Sequence, residues 1–408
     1  MRHSLVFLVL LTVFSGASAQ TAESPLQPYI RSLEKEGMPP RDFVLKQLEK
    51  FDLLIFDDAW HPVVEPFDFY RELIALPAFH QRVKTIFLEA VSITEQPALD
   101  AYLAAEVEDP TLLFPAFQND FSGLGWPFQT YFDLLKTVYQ VNRSLPAAER
   151  LRVVAVNAPS FWEAIHSAED VALFRKSLVG NDYFMYKTIL AEMADFREGR
   201  KGIFLTNTRH AYKGIRDQEG RFFWNCGTFF HQWHPGKTSA IRFHHLSLII
   251  ESEAALSDST ARSTAGMERY RYRWERMAGG KWDGAFAALG NRPVAISLRD
   301  TPFGREPYVG NHMHKAAPGQ TLFDAYDALI FLAPLESLHN TAETGALYTP
   351  AFRKELLRRL PLLFTAEQLQ EKMRRSGAGN LPDYIDQTFS GTPQELIPQT
   401  RDLPPLTF

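Results

Sequence analysis

Four short stretches of this sequence carry side chains able to exchange protons or hold charge. Asp57-Asp58-Ala59-Trp60-His61 places an imidazole three residues after a pair of carboxylates. Glu89 stands between Leu88 and Ala90, Asn157 ends an apolar run, and Arg209-His210 follows another that ends at Asn207. A carboxylate held against a histidine fixes its tautomer and raises its basicity, which makes the imidazole a general base near neutral pH. Glu89, with apolar neighbours, is expected to be partly desolvated, and its pKa to rise unless a cation offsets the burial. Arg209 is the candidate for that cation, or for holding a substrate oxyanion. Any one of these residues alone is better explained as a helix cap or a pairing group; four strand ends together argue for a site.

The elements that carry them alternate. Leu53 to Phe56, Val83 to Ala90, Leu151 to Asn157 and Gly202 to Asn207 are apolar runs of strand length, as in parallel strands covered on both faces. Ala240 to Glu251, Pro293 to Leu298 and Asp327 to Pro334 continue the series. Between them, helical spacing occurs over Asp42 to Phe51, Glu65 to Leu76, Gln96 to Ala104, Leu112 to Phe121, Gln129 to Val141 and Asp182 to Arg197, with a charged helix around Met267 to Met277. Gly214 to Gly236, rich in aromatics and glycine, is expected to be loop or hairpin. The fold class is therefore α/β: a mainly parallel sheet of about six or seven strands, helices on both faces, and helical insertions. In such sheets ligands bind beyond the carboxyl ends of the strands, where all four stretches fall. No linker or internal repeat divides residues 20–408, which are expected to form one domain.

Residues 1–19 have the form of a secretory signal peptide: Arg2 and His3, an apolar stretch from Leu5 to Phe14, then Ala17-Ser18-Ala19 before Gln20. Its apolar core is too short for a permanent anchor, so the mature chain is expected to be exported, to a periplasm or beyond, without stable membrane insertion. The single cysteine, Cys226, rules out an intrachain disulfide. A formal charge of −5 with no basic patch argues against nucleic acid as a partner. A small-molecule substrate is expected; oligomeric state is not encoded legibly.

The other histidines suggest less. His231 and His234 lie in the aromatic stretch, His244-His245 in an expected strand, and His312 and His314 in a loop. The His-x-His pair lacks a third ligand at diagnostic spacing. There is no Gly-x-Ser-x-Gly elbow, His-Glu-x-x-His helix or phosphate-binding glycine loop.

The order of these motifs resembles the superfamily that joins erythromycin esterases, ChaN-like haem-uptake proteins and Tiki proteases. Its members open with a strand ending Gly-Glu-x-x-His or Gly-Glu-x-His, where this chain has Asp57-Asp58-Ala59-Trp60-His61, and a second strand ending in Glu, here Glu89. The esterase branch adds a helix beginning Arg-Asp-x-x-Met and a strand ending His-Asn-x-His. Asn181-Asp182-Tyr183-Phe184-Met185 and Asn207-Thr208-Arg209-His210 stand in those places, and the likeness runs from about residue 50 to residue 334. The resemblance implies that His61 activates water, with Asp58 and Glu89 as acidic partners and His210 as a further essential histidine. Asp57, Asn157, Asp182, Asn207 and Tyr212 are the expected substrate-side residues. Three departures stand out: Asp57 for glycine, Asp58 for a longer glutamate, and Asn207, which cannot take a proton, for histidine.

The leading expectation is an exported hydrolase of an ester or related acyl bond, with no cofactor. Two alternatives follow from the other branches. One is a haem- or ligand-binding protein with Tyr212 or a histidine as axial ligand. The other is a metal-dependent peptidase with His61, Glu89 and His210 as ligands.

Overall fold

The structure is a computed structural model that describes residues 23–252, 270–308, 316–401 and 403–408. The signal-peptide residues, His312 and His314 lie outside the described residues. Seven strands form the main sheet: β1 (Leu53–Asp57), β2 (Val83–Ser92), β3 (Arg152–Asn157), β4 (Lys201–Thr206), β5 (Thr238–Phe243), β8 (Val294–Ser297) and β9 (Ala328–Phe331). Their order is β3-β2-β4-β1-β5-β9-β8, parallel except for β8 against β9. The expected α/β class is the observed one.

Strand alternation builds two cores from one sheet. Leu54, Phe56, Ile86, Leu88, Ile203 and Leu205 face one layer of helices, including Val64–Ala75 and Gln129–Ser144. Leu53, Ile55, Phe87 and Phe204 face the other, with helices Asn181–Glu192 and Cys226–Trp233. These strand residues are almost wholly buried, and each contributes roughly 1.5–3 kcal/mol by leaving water. The chain leaves β1 and β2 toward the first layer but leaves β4, which lies between them, toward the second. Neighbouring strands thus send their loops to opposite faces and open a crevice at their carboxyl ends.

Some elements differ from the sequence expectation. Ala240 to Glu251 is not one strand: β5 ends at Phe243 and β6 (Ser247–Ser252) pairs instead with β7 (Tyr270–Glu275) as a separate hairpin. His244 and His245 fill the break, the first packed against Trp282, Phe286 and Phe331, the second against Trp274. Of the charged helix expected around Met267 to Met277, the described part is β7 and a short 3-10 turn, Met277–Gly280. The aromatic–charged alternation from Tyr270 to Glu275 has the period of a strand. The Gly214 to Gly236 stretch contains helix Cys226–Trp233, started by Asn225, whose Oδ1 accepts the Thr228 N–H at 2.8 Å. The helix expected to reach Arg197 stops at Glu192, and Ala194, Asp195 and Phe196 take positive φ.

One buried ion pair ties the strands that flank the crevice. Asp57 and Arg242 are direct neighbours across β1 and β5, with Arg242 Nη1 3.2 Å from Asp57 Oδ2. Thr208 Oγ1 donates to the same carboxylate at 2.9 Å, and the Ala59 N–H at 2.7 Å. Replacing Arg242 with Met should therefore cost about 3–5 kcal/mol in urea unfolding, because Asp57 would stay buried without a cation. Adding Asp57→Asn should recover most of that loss; additive losses in the double variant would show that the pair is not coupled.

Candidate functional site

Because successive strand residues point to opposite faces, the adjacent aspartates part company. Asp57 turns toward Arg242, Thr208 and Tyr326 beneath the sheet edge. Asp58 turns the other way, and a tight turn through Ala59, held at a φ of 61°, brings His61 back over it. His61 Nδ1 lies 2.8 Å from Asp58 Oδ2 and 3.2 Å from the hydroxyl of Tyr131. Its Nε2 lies 3.1 Å from Glu89 Oε2 and 2.8 Å from Asn207 Nδ2.

Glu89 follows Leu88, the last residue before the register of β2 shifts against β3. Such irregularities re-aim a side chain. Thr206 Oγ1 donates to Glu89 Oε2 at 3.3 Å, and Asn157 Nδ2 donates to the Glu89 backbone carbonyl at 2.8 Å. His210 Nε2 stands 3.6 Å from Glu89 Oε1, while its Nδ1 is 2.8 Å from Asp182 Oδ1. Asp182 also accepts the N–H of Cys226, the first residue of its helix, at 2.8 Å. The result is an unbroken row, Asp58–His61–Glu89–His210–Asp182, in which carboxylates and imidazoles alternate. Asp58, His61, Glu89 and His210 are all buried.

Burial opposes charge throughout this row, and the neighbours decide the outcome. His61 is pushed down by burial, but the Asp58 and Glu89 carboxylates outweigh that and raise it to about 10. Burial raises Asp58 to about 6, although His61 pulls the other way. Glu89 is held at about 2, against its burial, by His61 and His210. His210 is raised despite burial by Asp182 and Glu89. The cations beside Glu89 include two imidazoles, and they offset the burial that would otherwise raise its carboxyl.

His61 is also the member of the row that reaches open space. It lines a cavity of about 590 Å³ together with Trp60, Trp126, Phe128, Asn207 and Arg209. Leu248 of β6 and Trp274 of β7 line its other side, and Trp274 packs edge-on against Trp60 at 5.4 Å. Asp58, Glu89, His210 and Asp182 lie behind His61 and Asn207 rather than in the cavity wall. Asp57 and Asn157 are scaffold by position, one in the ion pair and the other clamping the Glu89 backbone. Tyr212 is buried in the second core. Of the other histidines, His234 bonds the Tyr186 hydroxyl and His244 faces Asp283 at 3.2 Å. Among the described residues, no group of three or more His, Cys, Asp or Glu is arranged to hold a metal ion, and no helix is long and apolar enough to cross a membrane.

Three residues at the site were not singled out from sequence. Arg242 had a signal, a lone cation inside the apolar run Ala240-Ile241-Arg242-Phe243. Tyr131 and Trp126 had none: Tyr131 sits at helical spacing and reads as core, and Trp126 lies in the loop before that helix.

No family model and no curated protein matches the chain. Solved structures do. A succinoglycan biosynthesis protein aligns with a TM-score of 0.50 at 9% identity, covering 77% of this chain and 98% of that one. An erythromycin esterase, a variant of EreC in its open conformation, aligns at 0.44 and 13% identity over 75% and 95%. ChaN of Campylobacter jejuni, solved with cofacially bound haem, aligns at 0.33 and 12% over 58% and 92%. An erythromycin esterase and ChaN, both named from the motifs, are among the matched structures, and the alignment at 0.50 is a likeness of fold alone.

The row of charges makes a direct spectroscopic prediction. In 15N NMR of histidine-labelled protein, one imidazole should remain cationic far above 6.5 and titrate near 10. Glu89→Gln removes a stabilising anion and should lower that midpoint. A His61 resonance titrating near 6.5 in both proteins would contradict the electrostatics described.

Proposed function

We propose that this chain hydrolyses an ester or a related acyl bond with water activated by His61. One observation carries the reading: a single buried imidazole, held by the Asp58 carboxylate on Nδ1 and by Glu89 and Asn207 on Nε2, lines a large aromatic cavity. Asn207 helps set the tautomer. Its Oδ1 caps the helix Thr208–Ala211 by accepting the Arg209 N–H at 2.9 Å, which turns its Nδ2 donors toward His61 Nε2. When His61 is neutral, its Nε2 lone pair accepts that amide and the ring proton sits on Nδ1 facing Asp58; when it is charged, the Nε2 proton faces Glu89.

In the neutral form Nε2 takes a proton from water as the water oxygen bonds to the substrate carbonyl carbon. Asp58 stabilises the imidazolium. The carbonyl oxygen becomes an oxyanion near Arg209, the basic residue of the cavity wall. When the bond to the leaving group breaks, Nε2 returns its proton to the departing alkoxide, so no covalent enzyme intermediate forms. His210 and Asp182 act further back, by holding Glu89 in place. Export of the mature chain belongs to the same proposal and rests on the sequence of residues 1–19.

A panel of aryl and alkyl esters tests the reaction. His61→Ala should lower kcat/KM by about 10²–10⁴-fold, the usual loss on removing a general base; unchanged activity would overturn the assignment. The sign of the pH dependence follows from the site. The base works unprotonated, and its pKa is raised to about 10, so kcat/KM should climb from pH 7 toward 10 rather than level off near 7. The aromatic lining also supports a non-catalytic ligand-binding protein. Saturable haemin binding with no turnover of any ester would favour that reading.

A further inference from the structure

A second lobe of about 410 Å³ shares Trp60, Pro62, Phe128 and Gln399 in its wall with the cavity at His61. The lobes differ in polarity. The first carries His61, Asn207 and Arg209. In the second, Glu343 and Glu395 are the charged lining residues among the described residues. The Asn340 and Gln399 side chains add to its polar lining. Burial raises the Glu343 carboxyl, and a cation beside it would reverse that penalty. The rings of Trp60 and Phe128 at the junction suit a cation as well.

We propose that the second lobe is a subsite for a cationic group, an ammonium or substituted amine, on the same molecule whose acyl bond lies at His61. This names a substrate class for the proposed reaction, a basic ester with an apolar body, and for the ester end it rests on that reading. The two lobes order the ligand: its carbonyl oxygen, which gains negative charge, is drawn to Arg209, and its positive end to Glu343 and Glu395. An acyl bond carried in the reverse direction would set like charges together at both ends. The cationic group is held by two carboxylates of different exposure, Glu343 half-buried and Glu395 at the surface.

The test uses matched ester pairs that differ only in charge: benzoates of trimethylammonio-alcohols with spacers of two, four and six carbons, and their isosteres with a tert-butyl group in place of trimethylammonium. Binding to His61→Ala is followed by tryptophan fluorescence, so that affinity is read without turnover. At the best spacer the cationic ester should bind at least about tenfold more tightly than its neutral partner, equivalent to 1.4 kcal/mol. Glu343→Gln/Glu395→Gln should abolish that difference while leaving the neutral ester unchanged. If the double variant fails to fold, Glu395→Gln alone should shrink the preference, and added salt should weaken only the cationic ester. Equal affinities at every spacer, or equal loss of both esters in the carboxylate variant, would overturn the subsite. Wild-type turnover separates the two proposals. Selective binding of the cation without hydrolysis retires the hydrolase and keeps the subsite; equal binding and equal hydrolysis of each pair does the reverse.

Discussion

The site depends on one electrostatic constraint, the burial of the Glu89 carboxylate at the edge of the sheet. A lone carboxylate there would take up a proton rather than remain charged. It stays ionised because two imidazoles approach it from different strands, His61 after β1 and His210 after β4. Each imidazole, once charged, needs an anion on its other nitrogen, and Asp58 and Asp182 supply them. Every member of the row is therefore justified by its neighbour, and truncating one leaves an unpaired charge in a dry site. This coupling also gives the row its reach. It joins Asp58 and His61, three residues apart, to residues 89, 182 and 210, which no local spacing connects to them.

Strand geometry then divides the labour between adjacent residues. Asp57 and Asp58 have the same side chain and opposite destinations, because a strand alternates faces. Asp57 locks β1 to β5 through Arg242, whose guanidinium is held charged by the carboxylate despite complete burial. That ion pair fixes the end of β1, and with it the turn at Ala59 that presents His61. A backbone held in the left-handed region at a residue other than glycine costs of order 1–3 kcal/mol, and the 2.7 Å bond from the Ala59 N–H to Asp57 helps hold it there. Stability below the sheet edge and chemistry above it are thus linked through one strand terminus.

Much of this was legible in the sequence, and the parts that were not have identifiable causes. Buried parallel strands announce themselves as apolar runs, so β1 to β4 and the polar residues at their ends could be placed from pattern alone. The failures came where side chains do two things. Ala240 to Glu251 is continuous in hydropathy, yet the two histidines at its centre find partners in Asp283 and Trp274 and carry the chain out of the sheet. Helix Cys226–Trp233 is masked by aromatics that pack together beside it, among them Trp224 against Phe229 at 5.0 Å. Arg209 was the candidate for the cation beside Glu89, or for holding an oxyanion, and the two imidazoles that stand there were not read in that role. Histidine charge depends on neighbours, and those neighbours are distant in sequence.

The charge of the row also limits how a reaction could run beside it. With Asp58 ionised, three carboxylates face two imidazolium ions, so the row as a whole repels a developing oxyanion. Moving a proton from water onto Nε2 of a neutral His61 restores the balance of the row and places the new negative charge on the substrate instead. That charge then lies within an aromatic wall that offers few dipoles. Arg209 and the Asn207 amide are among the groups there able to meet it. Asn207 therefore has two tasks under the hydrolase reading: its amide directs the Nε2 lone pair before attack, and its donors become available once Nε2 carries the proton. A histidine in that position would compete for the proton, whereas an amide cannot. The departure from the motif at Asn207 is in this respect compatible with chemistry, because it leaves His61 as the single base at the cavity wall.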